Sequence, residues 1–242
     1  MDYRQSHLQK GSDYDENLAA DPFSAYMTRL EGEILQQIFQ ARFDGRVPRY
    51  LDFACGTGRI LSQFEEQADL SYGVDVSENM VEQARRKCAK TTFFLVDLTK
   101  EQLDIPAVDL ITAFRFFGNA QDELRVNVLA ALNRHLAPGG LLVINNHRNP
   151  GAIQAILNRL TGGTDTMDLT YWKLRRLLRG AGFRLERAYG IGWWLLRYGL
   201  NSPETLNSGV GRLLEPVSRL GIMAPICPDA VLVARKIEPP TA

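Results

Sequence analysis

The chain has 242 residues, enough for one sizeable hydrophobic core and short for two. Hydrophobic residues make up 45% and charged residues 23%, a balance that excludes the disordered and fibrous classes. The 28 basic and 28 acidic side chains cancel, so charge supplies no footprint for nucleic acid, and no nucleic-acid partner is expected.

Cys55, Cys88 and Cys227 are widely spaced and odd in number, so they form neither a disulfide framework nor a zinc cluster. No metal is expected, and a reducing compartment fits. The opening "MDYRQSHLQKGSDYDENLAADPF" is polar and acidic where a signal peptide needs a basic start and an apolar stretch. No apolar run of about 18 residues occurs, so no membrane span is expected and the location reads as cytoplasmic.

In chain order, Met27, Leu30, Ile34, Leu35 and Ile38 recur at helical spacing, which predicts a helix with one face turned inward before Pro48 breaks the pattern. Short apolar runs then alternate with helical ones. "RYLDFA" is followed by Ile60, Leu61 and Phe64, and "YGVDV" by Met80, Val81, Ala84 and Cys88. "TTFFLV" comes next, then "VDLITAF" with Leu124, Val128, Ala131 and His135. Such alternation predicts βαβ units and a parallel sheet buried on both faces. "LAPGGLLVINN" reads as a turn at Pro138, Gly139 and Gly140 and then a fifth strand. Ile153 to Leu160 and Leu174 to Ala181 read as helices, and "FRLERAYGIG" and "DAVLVARK" as two last strands. The Gly- and Pro-rich residues 191–228 between those strands, with Trp193 and Trp194, read as one long connection of the kind that usually carries function.

The stretch "ACGTG" after the first strand holds two glycines that let the backbone turn sharply and approach a ligand. A helix directly behind it would aim free N–H groups at a carboxylate, phosphate or ribose. Asp75 ends the second strand 23 residues after Asp52, where a nucleotide-binding sheet places the acid that bonds ribose hydroxyls. The dinucleotide fingerprint needs a third glycine or alanine where this chain has Leu61, so a nicotinamide-dependent dehydrogenase is the weaker alternative.

With "LDFACGTG", "GVDVSENM", "FFLVDL", "VDLITAF" and "LAPGGLLVI" in this order, the chain resembles the class I S-adenosylmethionine-dependent methyltransferases over roughly residues 47–147. The resemblance implies a doubly wound α/β sheet of seven mostly parallel strands with an antiparallel last strand. It implies a single domain: 1–46 as N-terminal helical lid, 47–190 as cofactor-binding core, 191–228 as substrate cap, and 229–242 as last strand and tail. The implied cofactor is S-adenosyl-L-methionine, with S-adenosyl-L-homocysteine as product. Carried onto this sequence, Asp52, Ala54, Gly56 and Gly58 line the methionine moiety, Cys55 in the same loop counts among the cofactor-binding residues, and Asp75 binds the ribose. Val76 and Met80 flank the adenine, Asp97 and Leu98 meet its edge, and Phe114 lies near the sulfonium. Tyr14, with Tyr26 and Arg29 behind it, is the lid candidate. Asp97 also has a reading as a strand-end turn residue, and Cys55 a remote one as a nucleophile.

Of three histidines, His7 is in the tail and His135 falls on an apolar helical stripe. His147 follows the fifth strand at the carboxyl edge where open α/β sheets bind ligands, so it is the candidate base, or else a loop residue. Asp165 and Asp168 are candidates to orient it if their loop folds back. Arg115 and Arg148 lie on the same edge and either bind an acidic substrate group or pair with surface carboxylates. Together with Trp193 and Trp194 they are the substrate candidates. The reaction expected is methyl transfer to a small or medium organic acceptor, at a hydroxyl first and a nitrogen second. A nucleoside-binding protein without turnover is the non-enzyme alternative.

Overall fold

The computed structural model describes residues 20–164, 167–195, 206 and 208–237. Helix α1 (Pro22–Phe43) leads into β1 (Val47–Phe53), a one-turn α2 (Leu61–Phe64), β2 (Ala68–Asp75), α3 (Glu78–Lys87), β3 (Thr91–Leu95) and β4 (Val108–Ala113). Then come α4 (Asp122–His135), β5 (Leu136–Asn145), α5 (Ile153–Leu160), α6 (Tyr171–Gly180), β6 (Phe183–Ile191), α7 (Gly209–Ser218) and β7 (Asp229–Lys236). The seven strands lie in the order β3-β2-β1-β4-β5-β7-β6, and β7 alone runs antiparallel to its neighbours. The doubly wound α/β sheet read from the sequence is therefore the one observed.

The central strands carry large apolar side chains at successive positions because both faces of the sheet are covered. Tyr50, Leu110, Val143, Val231 and Val233 pack towards α1, α2 and α3, while Leu51, Ile111, Leu142 and Leu232 pack towards α4 and α6. All nine are essentially buried. Helix α1 starts at Asp21, whose carboxylate accepts from Ser24 N at 2.7 Å with Pro22 at the first helical position. It stops at Asp44 and Gly45, both at positive φ.

Two local expectations are revised. The turn read at Pro138–Gly140 is an irregular start of β5 itself, with Gly139 at φ 71° and a register shift opposite it between Val108 and Leu110. The connection 191–228 contains a helix, α7, that Gly209, Gly211 and Pro216 hide from a periodicity reading. Ser208 caps it by accepting from Gly211 N at 3.0 Å, and Pro216 is tolerated in its last turns. Among the described residues no helix is long and apolar enough to cross a membrane.

Candidate active site

The carboxyl ends of β1, β2, β4 and β5 open into one cavity, the position where open α/β sheets bind ligands. After β1, Ala54 and Gly56 line it at φ 52° and 54°. A Cβ on Gly56 would meet nothing within 4 Å, so the backbone here faces open space. Gly58 has a different job. Its Cβ would stand 3.2 Å from Ala84 Cβ and Cys88 Sγ, so the glycine lets α3 pack against the loop, and it is not at the cavity wall. The expected helix behind this loop is only the single turn of α2, so no helix N-terminus of useful length points at the cavity.

Asp75, at the end of β2, lines the cavity and ties the loop down: its carboxylate accepts from Gly56 N and Ser77 N, each at 2.9 Å. Val76, Met80 and Leu98 form an apolar wall beside it. Asp97 lines the cavity and also accepts from the backbone and hydroxyl of Thr99 at 3.0 and 2.7 Å, as a strand-end turn residue does. Phe114, Phe116, Leu124 and Val128 close the opposite side, and Arg115, Asn119, His147 and Arg148 stand at the far rim.

Besides Gly58, four expected members lie elsewhere. Asp52 is buried behind the loop, where Thr112 Oγ1 donates to its Oδ1 at 2.5 Å and itself sits 2.7 Å from Tyr50 Oη. Burial pushes the Asp52 carboxyl up to about 7, against the lowering effect of Thr112 and Arg59. Cys55 is buried in the apolar cluster beneath α1, and that burial holds its thiol well above the ordinary value, the opposite of an activated nucleophile. Trp193 and Trp194 do not reach this cavity. Their Nε1 atoms donate to Leu214 O at 3.3 Å and to Glu215 Oε2 at 2.8 Å, and Trp194 meets Tyr26 edge-on, so the pair anchors α7 onto α1. Tyr14 and Asp165 lie outside the described residues.

His147 has a carboxylate partner, and it is not Asp168. Asp168 is held by Arg125 at 2.7 Å and Lys173 at 2.6 Å, which keep its carboxyl well below the usual range. Arg125, almost fully buried, also donates to the carbonyls of Phe117 and Gly118 and so fixes the loop that carries Phe116 and Asn119. The partner of His147 is Asp229, the first residue of β7, with Nδ1 2.7 Å from Oδ2. His135 is structural: its Nε2 accepts from Leu103 N at 3.2 Å and its Nδ1 lies 2.8 Å from Ala131 O.

Sequence reasoning also missed Glu31. It sits on the apolar stripe of α1, fully buried, with Arg59 donating to one carboxylate oxygen at 2.9 Å and Asn145 to the other at 2.7 Å. Burial pushes its carboxyl up, but Arg59, Arg115 and His147 outweigh that and hold it below the ordinary value. Asn145 then accepts from Arg115 N at 2.6 Å, linking α1 to the cavity rim. Among the described residues no cluster of histidine, cysteine or carboxylates is suited to hold a metal ion.

Residues 51–140 match the methyltransferase domain family. Over 97 residues the chain is 36% identical to dTDP-4-amino-2,3,4,6-tetradeoxy-D-glucose N,N-dimethyltransferase of Saccharopolyspora spinosa, covering 39% of this chain and 38% of that protein. It is 31% identical over 96 residues to dTDP-3-amino-3,4,6-trideoxy-alpha-D-glucopyranose N,N-dimethyltransferase of Streptomyces venezuelae, covering 39% and 40%. The match thus spans well under half of these relatives' length. Magnesium protoporphyrin IX methyltransferase of Synechocystis PCC 6803, solved with bound S-adenosylhomocysteine, superposes with a TM-score of 0.65 at 15% identity over 96% of this chain and 97% of that one. The N-methyltransferase NodS of Bradyrhizobium japonicum WM9, in complex with the same molecule, gives 0.63 at 15% identity over 98% and 100%. Residues 51–140 thus match a methyltransferase domain, and the seven-stranded sheet has the fold of these solved S-adenosylhomocysteine-bound methyltransferases.

Proposed function

We propose that this chain binds S-adenosyl-L-methionine in the cavity at the carboxyl edge of the sheet and methylates a nitrogen of a small, anionic organic acceptor. The observation that carries the reading is the cavity itself: an acid-and-glycine wall from β1 and β2 faces a rim of His147, Arg115 and Arg148 from β4 and β5. The wall fits a nucleoside. Gly56 leaves room for close backbone approach, Asp75 and Asp97 offer carboxylates for hydroxyl and amine donors, and Val76, Met80 and Leu98 offer apolar surface to a base.

When bound, the cofactor supplies a methyl group on a sulfonium, an electrophile that needs no further activation. The chain's own residues position, desolvate and handle the proton. Phe114 and Phe116, both nearly buried, keep water from that part of the cavity. His147 takes the proton of the acceptor, and Arg115 and Arg148 hold its acidic group. A nitrogen acceptor is preferred to the hydroxyl expected from sequence because both curated relatives are N,N-dimethyltransferases of amino sugars carried on a nucleoside diphosphate. That carrier also suits two arginines at the rim.

Calorimetric titration with S-adenosylhomocysteine, S-adenosylmethionine and NAD, on wild type and Asp75→Ala, tests the cofactor half. Saturable binding of the adenosyl ligands alone, weakened at least tenfold by the substitution, is expected; a preference for NAD or no adenosyl binding overturns it. Labelled methyl transfer to dTDP-4-amino-2,3,4,6-tetradeoxy-D-glucose against its 4-hydroxy counterpart tests the acceptor atom. Transfer to the hydroxy sugar alone reverses the nitrogen reading.

A further inference from the structure

His147 and Asp229 are 82 residues apart in sequence and are locked together by backbone on both sides. Asn146 N donates to Ala230 O at 2.7 Å and Asn149 N to Pro228 O at 2.9 Å, so the loop after β5 is stitched to the residues that begin β7. The Asn149 side chain adds bonds to the carbonyls of Pro225 and Cys227 at 2.9 and 3.0 Å. From the other side Gly118 presses on the loop: a Cβ there would lie 2.9 Å from His147 O. Asp229 pairs with Ile191 of β6 and is 1% exposed, and its Oδ1 has no hydrogen-bond partner among the described residues.

A neutral imidazole carries one N–H, and a carboxylate at Nδ1 selects the form in which Nδ1 is the donor. Nε2 is then an acceptor, on a residue that lines the cavity. The other charged groups facing the pair are Glu31 from α1 and Arg115 from the loop after β4, with Arg59 beyond Glu31. Their charges offset one another in part. Burial raises the Asp229 carboxyl above its ordinary value, His147 and to a lesser extent Arg115 oppose that rise, and Glu31 adds to it.

We propose that Asp229 is a positioning residue for methyl transfer, holding His147 in the Nδ1–H form so that Nε2 accepts a proton from the ammonium of the acceptor. The proposal rests on the reading of His147 as the base. In the step, an N–H bond of the ammonium breaks, its electron pair stays on nitrogen as the nucleophilic lone pair, and the proton bonds to Nε2. The imidazolium formed faces the Asp229 carboxylate, which stabilises it, and the neutral amine is ready for attack. A purely structural clip between β5 and β7 would hold the same tautomer but would leave kcat unchanged when the carboxylate is replaced in a folded protein.

The decisive measurement is the nitrogen chemical shifts of the histidine rings in 15N-histidine-labelled full-length protein with S-adenosylhomocysteine added, assigned through His147→Ala. His135, whose partners impose the Nδ1–H form, is an internal reference. Wild-type His147 is expected in the same form, and Asp229→Asn is expected to lose it. With dTDP-4-amino-2,3,4,6-tetradeoxy-D-glucose as acceptor, Asp229→Asn should lower kcat about 10- to 100-fold, up to the lower end of the contribution of a whole general base, with KM unchanged. Asp229→Glu should restore part of that loss. A wild-type His147 in the Nε2–H form overturns the proposal even if Asp229→Asn does not fold, and so does an Asp229→Asn protein with wild-type kcat or an unchanged tautomer. Full activity of His147→Ala sinks the base reading itself, whereas a slow His147→Ala beside a wild-type-like Asp229→Asn sinks only the positioning role.

Discussion

A prediction about stability: Asp52

Replacing Asp52 by Asn should make the unliganded protein more stable at pH 8 than at pH 5.5, relative to wild type. Asp52 is 2% exposed, opposite Thr112 in the β1–β4 ladder, and its acidity is shifted up to about 7 because burial disfavours the anion. The sign follows from linkage. A carboxyl whose folded value lies above its unfolded one binds its proton more tightly when folded, so its contribution to stability is fully present below about pH 4 and is lost as pH rises through 7. Between pH 5.5 and 8 a rise from 3.8 to about 7 removes about 2 kcal/mol in wild type, an upper figure for a site that relaxes.

Asn is isosteric and carries no charge, and its carbonyl can still accept from Thr112. For a chain of this size about 2 kcal/mol corresponds to a midpoint difference of about 4–8 °C. The assay is thermal or urea unfolding of both proteins at the two pH values, read as the difference between variant and wild type. That difference cancels the remaining titrating groups, including Glu215 and Asp229, which burial also raises. An equal stability difference at both pH values would refute the claim that Asp52 is a buried anion held at a cost.

Three further substitutions test the scaffold around the cavity. Glu31→Gln leaves Arg59, whose side chain is 15% exposed, without its buried counter-ion and should cost about 3 kcal/mol in urea unfolding; a loss below about 1 kcal/mol would mean Arg59 finds water instead. Gly58→Ala and Gly56→Ala share a strained positive φ worth about 1–2 kcal/mol, but only the first meets Ala84 and Cys88 at 3.2 Å. Unfolding should therefore rank Gly58→Ala as the more destabilising, while S-adenosylhomocysteine titration should rank Gly56→Ala as the weaker binder, and the reverse order in unfolding would count against the packing role of Gly58.

The strands were legible because a sheet buried on both faces writes itself as short apolar runs, and the turn after β1 because a glycine with open space beside it and a tethered Asp75 both leave marks in the chain. Helix α7 was not, since Gly209, Gly211 and Pro216 depress helix propensity and only packing against β6 and α1 overrides it. Asp229 was missed for a different reason. Its partner lies 82 positions away, and only the antiparallel run of β7 brings the first residue of that strand beside the loop that follows β5. Glu31 did leave a signal, a carboxylate on the apolar stripe between Leu30 and Ile34, but its partners Arg59 and Asn145 are 28 and 114 positions distant.

The cavity rim also explains why this sheet edge tolerates unusual backbone. Ala54, Arg115 and Arg148, which follow β1, β4 and β5, all sit at positive φ between 52° and 59°, although each carries a Cβ. Such conformations cost about 1–2 kcal/mol apiece and persist only where surrounding bonds over-determine them. Here those bonds are present: Cys55 N reaches Val74 O, Arg115 N reaches the Asn145 side chain, and Asn149 N reaches Pro228 O. The left-handed kinks take the three chains out of the sheet plane at the cavity, with Phe114 and His147 on its wall beside them. Because Asn145 bonds to both Arg115 N and Glu31, the conformation at one rim arginine is tied through a single side chain to the ion pair under α1. Loosening that pair should reach the cavity through Asn145 before it reaches the sheet, so Glu31→Gln is expected to weaken acceptor turnover as well as the fold.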